Sequence, residues 1–292
     1  MRGKWVVLAI ALAGCAAWYL TRPVTIDRLQ LAPGVPNPGH GELVFHAAGC
    51  ASCHGEDLAG GLEMHTPFGI FRVPNISPDA ETGIGNWSDL DFANAMLHGV
   101  SPSGAHYYPA FPYPSYARME KSDLRDLKAY LDTLAPVSRT VEGHGLAFPY
   151  TLRRGVGLWK RRYLSTEPVI DAQRLSQQAL RGQYLVEVLG HCGECHTPRD
   201  RFGGADKDRW LAGGANPNGE GRIPNITPHS DGLAGWSEND IAYYLESGFT
   251  PDFDTVGGSM VKVQENFARL PKSELQAVAA YLKAVAAQPD TP

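Results

Sequence analysis

The strongest constraint on what this chain can fold into is that it repeats itself once. The first copy reads Cys50-Ala51-Ser52-Cys53-His54, then Ala59-Gly60-Gly61, Arg72-Val73-Pro74-Asn75-Ile76-Ser77-Pro78 and Gly85-Asn86-Trp87-Ser88. The second reads Cys192-Gly193-Glu194-Cys195-His196, then Ala212-Gly213-Gly214, Arg222-Ile223-Pro224-Asn225-Ile226-Thr227-Pro228 and Gly235-Trp236-Ser237. Both copies close alike, through Tyr116-Ala117-Arg118-Met119 and Phe267-Ala268-Arg269-Leu270. The offset grows only from 142 residues at Cys50/Cys192 to 151 at Met119/Leu270. Each copy is therefore a whole domain rather than a solenoid turn, and 292 residues suit two domains at roughly 150 residues each. The expected division is 1–22 for an N-terminal segment, 38–135 for the first domain, 136–177 for a linker and 178–288 for the second domain.

Local patterns within each copy predict helices. A short helix carries each Cys-x-x-Cys-His unit. Trp-Ser-Asp and Trp-Ser-Glu open another, with Ser88 and Ser237 as N-caps. A final helix is expected after Ser122 and Ser273, because Leu124, Leu127, Leu131 and Leu275, Val278, Leu282 fall at helical spacing. The Pro-Asn-Ile stretches and the glycine runs read as loops. In the linker, Arg153, Arg154, Lys160, Arg161 and Arg162 lie among Phe148, Tyr150, Trp159 and Tyr163. They suit either a docking strap against anionic lipid headgroups or a packed connector with solvated charges.

The chemistry sits in the cysteines. There are five, and the odd count fits a disulfide framework poorly. Four of them, Cys50, Cys53, Cys192 and Cys195, form two Cys-x-x-Cys-His units, the attachment signature of c-type haem. Two thiols one helical turn apart can both form thioethers with the haem vinyl groups, and the following imidazole then meets the iron from the same side. A zinc ribbon would place both pairs in one short domain, and a thioredoxin-like pair would need a βαβ context. The expected cofactors are thus two covalently attached haems, with His54 and His196 as proximal iron ligands.

A methionine thioether as sixth ligand would favour electron transfer. Beyond Met1 the choices are Met64, Met96, Met119 and Met260. Met260 follows a flexible Gly257-Gly258-Ser259 and lies 64 residues after His196; Met119 lies 65 residues after His54. These two are the expected ligands. The end-helix alignment sets Met119 opposite Leu270 and places Met260 opposite the neighbourhood of Pro109. Met96, His106 or an open site are therefore the rivals at the first haem. The carbonyls of Pro74 and Pro224 are expected to accept the Nδ1 protons of the proximal histidines. Trp87 and Trp236 are candidate donors to the haem propionates, and Arg72 and Arg222 their candidate ion-pair partners.

The N-terminus addresses the remainder of the chain. Arg2 and Lys4 precede an uncharged run from Trp5 to Leu20, so export of the downstream domains is expected. An uncleaved anchor, a cleaved signal and a lipoprotein modified at Cys15, within Leu12-Ala13-Gly14-Cys15, all lead to the periplasmic side; the anchor is preferred. With 43% apolar and 20% charged residues the chain is neither disordered nor polytopic. Its net charge of −5 speaks against nucleic acid as a partner.

Several longer stretches resemble a known family. They are Tyr107-Tyr108-Pro109-Ala110-Phe111-Pro112-Tyr113-Pro114-Ser115-Tyr116, Thr82-Gly83-Ile84-Gly85-Asn86-Trp87-Ser88 and Gly193-Glu194-Cys195-His196-Thr197-Pro198-Arg199. They resemble the cytochrome c subunits of bacterial membrane-bound alcohol, aldehyde and sugar-acid dehydrogenases, from about Gly41 to Ala287. Those subunits usually carry three haem domains where this chain has two, and many carry Met where this chain has Phe111. The resemblance implies a mostly α-helical pair of class I-like cytochrome c domains behind a membrane anchor. It implies electron transfer from a dehydrogenase catalytic subunit to membrane quinone or another cytochrome, at the periplasmic face of the inner membrane. On this reading the chain is an electron carrier, not an enzyme. The rivals are a peroxidase or dehydrogenase acting at an open first haem, and a gas-sensing module, for which the length leaves no output domain.

Overall fold

The computed structural model describes residues 2–26, 34–216 and 221–290. Helix α1 (Arg2–Leu20) carries no acidic residue, and its side chains from Gly3 onward are all exposed. At 1.5 Å per residue its 19 residues span about 28 Å, close to the ~30 Å of a bilayer's hydrocarbon core. It is long and apolar enough to cross a membrane.

The first half comprises α2 (Pro38–Ala47), α3 (Cys50–His54), β1 (Glu63–Thr66), β2 (Gly69–Arg72), α4 (Asp89–His98), α5 (Tyr113–Tyr116) and α6 (Lys121–Leu131). Next come β3 (Gly145–Leu146) and α7 (Val156–Tyr163). The second half continues with α8 (Gln177–Tyr184), which runs into a π-helical turn at Leu185–Leu189, then α9 (Gly193–His196), β4 (Gly214–Ala215) and β5 (Arg222–Ile223). It ends with α10 (Glu238–Ser247), α11 (Met260–Phe267) and α12 (Lys272–Ala284). The architecture is mostly α-helical, as the sequence predicts. The strands form only small antiparallel ribbons, β1-β2-β3 with Glu63 opposite Arg72, and β4-β5 with Gly214 opposite Ile223.

Each half is closed by its first and last long helices. Helix α2 crosses α6, and α8 crosses α12. Gly41 and Gly182 lie at these crossings. A Cβ on either would overlap a backbone carbonyl of the facing helix, that of Asp126 or of Ala277. Helices α2 and α8 are not among the elements expected from sequence, although Gly41-Glu42-Leu43-Val44 and Gly182-Gln183-Tyr184-Leu185 are matching glycine-led apolar starts.

Helices α4 and α10 begin as expected. Ser88 accepts from Asp91 N at 3.2 Å and Ser237 from Asp240 N at 3.1 Å, and each aspartate reaches back to the cap backbone. Both end at a left-handed glycine, Gly99 (φ 58°) and Gly248 (φ 79°). Helices α6 and α12 start earlier than expected, with Glu120 and Pro271 at their caps, so Ser122 and Ser273 lie inside the first turn. Their predicted apolar faces are buried, and one continuous apolar core runs through both halves.

Residues 136–177 are packed rather than strung between domains: the earlier part is stitched to the first half, while Trp159, Tyr163, Val169 and Ile170 bond to the second. The Val137 carbonyl accepts from Asn75 Nδ2 at 2.7 Å and Ser77 Oγ at 3.1 Å, and β3 extends the β1-β2 ribbon. Lys160 is buried and donates to the carbonyls of His98 and Gly99 at 2.5 and 2.7 Å, closing the end of α4.

Candidate haem-binding site

Helix α3 presents Cys50 and Cys53 one turn apart, with His54 at its end; Cys192, Cys195 and His196 repeat the arrangement at α9. None of the four forms a disulfide among the described residues. Cys53 and Cys195 are exposed, whereas Cys50 and Cys192 are half-buried, and burial pushes both of the latter thiols up to about 12.

The two imidazoles are oriented identically. His54 Nδ1 lies 2.8 Å from the Pro74 carbonyl, and His196 Nδ1 lies 2.8 Å from the Pro224 carbonyl. A carbonyl oxygen can only accept, so Nδ1 carries the proton and the Nε2 lone pair is left unspent. Burial drives the His54 pKa down to about 4 against the weaker upward pull of the Pro74 carbonyl, and lowers that of His196 for the same reason. Both rings are therefore neutral at physiological pH, the state in which imidazole binds a metal.

Matching local devices hold each proline carbonyl in place. Gly60 N donates to His54 O and Gly213 N to His196 O, both at 2.8 Å. Ile76 N then donates to Leu58 O at 2.9 Å and Ile226 N to Leu211 O at 3.0 Å, tying the two loops together. Leu58 (φ 57°) and Leu211 (φ 62°) sit buried in the left-handed region, a costly conformation for leucine that occurs at the same place in both halves. Gly60 (φ 71°) and Gly213 (φ 70°) admit the close approach: a Cβ on Gly60 would overlap the Pro74 carbonyl, and one on Gly213 would lie 2.6 Å from Ile223 O. Asn75 and Asn225 hold the proline loops in place, a part that sequence reasoning misses. Asn75 Nδ2 donates to Val137 O and Asn225 Nδ2 to Gln288 O, each at 2.7 Å, pinning the proline loop to the segment after the last helix. Their signal is the repeated Pro-Asn-Ile-Ser/Thr-Pro, which by local pattern reads only as a loop.

The methionines differ between halves. Met260 opens α11, half-buried against the core, two residues after Gly258 (φ 59°). Its counterpart can be counted from matched hydrogen bonds. Tyr107 N donates to Gly99 O at 2.7 Å and Val256 N to Gly248 O at 2.8 Å, while Val100–His106 and Phe249–Thr255 form equivalent bridges. In that register Phe111, not Pro109, stands opposite Met260. Phe111 packs among Tyr107, Tyr113 and Tyr116, with ring centroids 5.7, 6.1 and 6.0 Å away. Met119 is buried between α5 and α6 and donates its N–H to Tyr116 O at 2.9 Å; Leu270 makes the same bond to Phe267 O at 2.9 Å. Met96 is also buried, in α4, and Met64 lies on β1. His106 is turned toward α1, with Nε2 2.9 Å from the Thr21 carbonyl.

Among the expected propionate partners, Trp87 and Trp236 are half-buried against the core. Neither indole N–H is spent on a hydrogen bond among the described residues. Arg72 departs from the sequence expectation. Its Nε donates to Glu63 at 2.7 Å and its Nη1 to Gly143 O at 2.6 Å, which commits the guanidinium to the β1-β2 ribbon and the β3 approach. Arg222 lies exposed on β5.

The halves meet near the two attachment helices. Asn266 of α11 accepts from His46 Nδ1 at 3.0 Å and donates to Ser52 Oγ of α3 at 3.1 Å. The Tyr116 ring lies edge-on to His191, just before Cys192, with centroids 5.7 Å apart. Two cysteines one turn apart and outside any disulfide, followed by a neutral imidazole oriented through Nδ1, fit a covalently held haem in each half.

A sequence model of the family described as cytochrome c matches residues 40–135 and 179–286. A Cereibacter sphaeroides protein named diheme cytochrome c-type is 50% identical over 287 residues, which cover 95% of this chain and 96% of that protein. A nicotinate dehydrogenase subunit of Pseudomonas putida is 38% identical over 305 residues, with 99% of this chain but 25% of the relative covered. The cytochrome c subunit of the quinone alcohol dehydrogenase of Gluconobacter oxydans is 36% identical over 263 residues, covering 86% of this chain and 55% of that subunit. The chain thus spans about half the length of that alcohol dehydrogenase subunit.

Proposed function

The chain belongs to the cytochrome c family and carries two covalently bound c-type haems for electron transfer; on that premise we propose that it relays electrons from a dehydrogenase partner to membrane quinone or a downstream cytochrome. It works as an electron-transfer component, not as a catalytic subunit. The proposed setting is the periplasmic face of a bacterial inner membrane, with α1 as an uncleaved anchor. The names of the dehydrogenase subunits that align with it support the partner, and the length and exposure of α1 support the anchor.

The observation that carries the reading is the pair of His–Pro contacts at 2.8 Å, repeated in both halves. Bound haem iron supplies one-electron exchange between Fe(III) and Fe(II). Cys50 with Cys53, and Cys192 with Cys195, supply the thioether sulfurs. His54 and His196 offer Nε2 as proximal ligands, and the carbonyls of Pro74 and Pro224 hold the rings in place and raise their basicity. Met260 is the proposed sixth ligand in the second half and Met119 in the first. The indoles of Trp87 and Trp236 donate to propionates, with Arg222 as a further cationic partner.

A spectroelectrochemical titration of the detergent-extracted holoprotein tests this. Two one-electron waves in the range of His/Met haems are expected, and two potentials far below that range would sink the relay reading. A second reading concerns the first haem alone and rests on Phe111 standing in the register of Met260. In it, Met119 stays in the core as Leu270 does, and the sixth position is open. Carbon monoxide separates the two: an unchanged reduced spectrum favours Met119, and a shift in one haem favours the open site.

A further inference from the structure

The end of α1 is clamped by the segment downstream of the first half. Arg154 Nη2 donates to Trp18 O at 2.8 Å, and Arg161 Nε donates to Leu20 O at 2.7 Å. His106 Nε2 donates to Thr21 O at 2.9 Å. Helix α7 lies directly against this end, since a Cβ on Gly157 would be 2.7 Å from Thr21 O. The guanidinium of Arg154 stands 5.7 Å from the Trp18 ring centroid and that of Arg161 6.0 Å from the Tyr19 ring. Cations are well placed on the last carbonyls of a helix, whose C-terminal end is its negative pole.

This clamp sets a height. If α1 spans a bilayer, Trp18 and Tyr19 lie at the headgroup level, where amphipathic aromatic rings collect. Side chains bonded to the carbonyls of Trp18 and Leu20 must lie at nearly the same depth. Helix α7 buries Val156, Gly157 and Lys160 against the protein. It turns Leu158, Arg161 and Arg162 outward, at i, i+3 and i+4 on one face. Phe148 and Leu152, just upstream, are exposed at 79% and 60%. No acidic residue occurs between Glu142 and Glu167.

We propose that residues 148–163 are a second membrane contact, made with anionic phospholipid around the α1 exit point. Phe148, Leu152 and Leu158 enter the acyl boundary while Arg161 and Arg162 meet lipid phosphates. The occupant is identified by continuity with α1, by a run of basic residues that no acidic residue interrupts between Glu142 and Glu167, and by apolar side chains set among the arginines; Asp200, which accepts from the Tyr163 hydroxyl, is an acidic group facing the end of α7. The contact would hold the first half at a fixed height above the bilayer. It rests on the proposed anchor, so the test must separate the two.

The test uses the full-length, haem-loaded protein with Cys15→Ser and Leu158→Cys, nitroxide-labelled at position 158. Flotation with neutral phosphatidylcholine vesicles reads the anchor by itself. In nanodiscs containing phosphatidylglycerol, the label should be shielded from an aqueous nickel relaxant and exposed to dissolved oxygen. Arg162→Gln should shift the balance of shielded to exposed label about fivefold toward exposed. A label as open to nickel in these nanodiscs as in detergent overturns the contact, while flotation still supports the anchor. If the protein fails to float with neutral vesicles, the anchor reading falls. The contact then requires salt-sensitive binding to phosphatidylglycerol vesicles, weakened by Arg162→Gln; no such binding overturns it as well.

Discussion

Arg118, from the closing loop of the first half, places Nη2 2.6 Å from the carboxylate of Glu187, in the π-helical turn of the second. The Glu187 side chain has no solvent exposure. The same carboxylate accepts from the Tyr281 hydroxyl at 2.5 Å, from Gln183 Nε2 at 3.0 Å and from Val169 N at 3.0 Å. A buried charge is tolerated when its lone pairs are filled in this way, and removing one partner strands the other. Arg118→Met is therefore expected to cost about 3–5 kcal/mol of unfolding free energy. Adding Glu187→Gln, which removes the stranded charge, should recover part of that loss. Denaturant melts of the holoprotein measure both, and a wild-type midpoint for Arg118→Met would mean that the pair does not join the halves.

The Gly60 position tests how the proximal histidine is held. Alanine there adopts a left-handed conformation at a cost of about 1–2 kcal/mol, and its Cβ pushes on the Pro74 carbonyl. His54 then loses its acceptor and becomes a less basic ligand. The expected result for Gly60→Ala is a rise of tens of millivolts in the potential of one haem, with the other unmoved. Two unmoved potentials would show that the Pro74 carbonyl does not tune the iron.

Lys160 gives the fold a pH dependence. Burial pushes its pKa down to about 7 from an ordinary 10.5. Below about 7 the ammonium is charged in both folded and unfolded chains, and the cost of burying it is felt in full. Between 7 and 10.5 the folded chain has released the proton and the unfolded chain still holds it. The unfolded state then binds more protons, and stability climbs with pH. At roughly 1.4 kcal/mol per pH unit the gain reaches a few kcal/mol. Lys160→Met should flatten the climb in thermal midpoints taken from pH 6 to about 10, and an unchanged slope would trace it to other groups.

The duplication, the two attachment motifs and the helical class are legible in the sequence because each rests on local spacing. Ser88 and Ser237 cap where their Trp-Ser-Asp/Glu patterns place them. The features that escape depend on partners far along the chain. Gly41 and Gly182 matter through the helices that cross them, and Asn75 and Asn225 through carbonyls more than sixty residues away. Arg72 carries the charge expected of a propionate partner, but β1 brings Glu63 beside it, which adjacency in sequence does not reveal. The linker likewise reads as either a charged strap or a packed connector, because nothing local shows that Lys160 closes α4 or that Arg154 and Arg161 clamp α1.

The contrast between Phe111 and Met260 yields the sharpest expectation for the irons. The two side chains share one register, yet phenylalanine has no donor atom and methionine has a thioether. If Met119 does not close the first site, reduced holoprotein should take up carbon monoxide at one haem of the two. Phe111→Met would then abolish that uptake and raise the potential of the same haem, because a thioether favours Fe(II). Met260→Ala should do the reverse, opening the second site to carbon monoxide and lowering its potential. If wild-type protein binds none and Met119→Ala creates a binding site, Met119 is the ligand, and Phe111→Met should leave the spectrum as it was. Carbon monoxide difference spectra of these variants, read beside their potentials, decide which methionine serves the first iron, or whether none does.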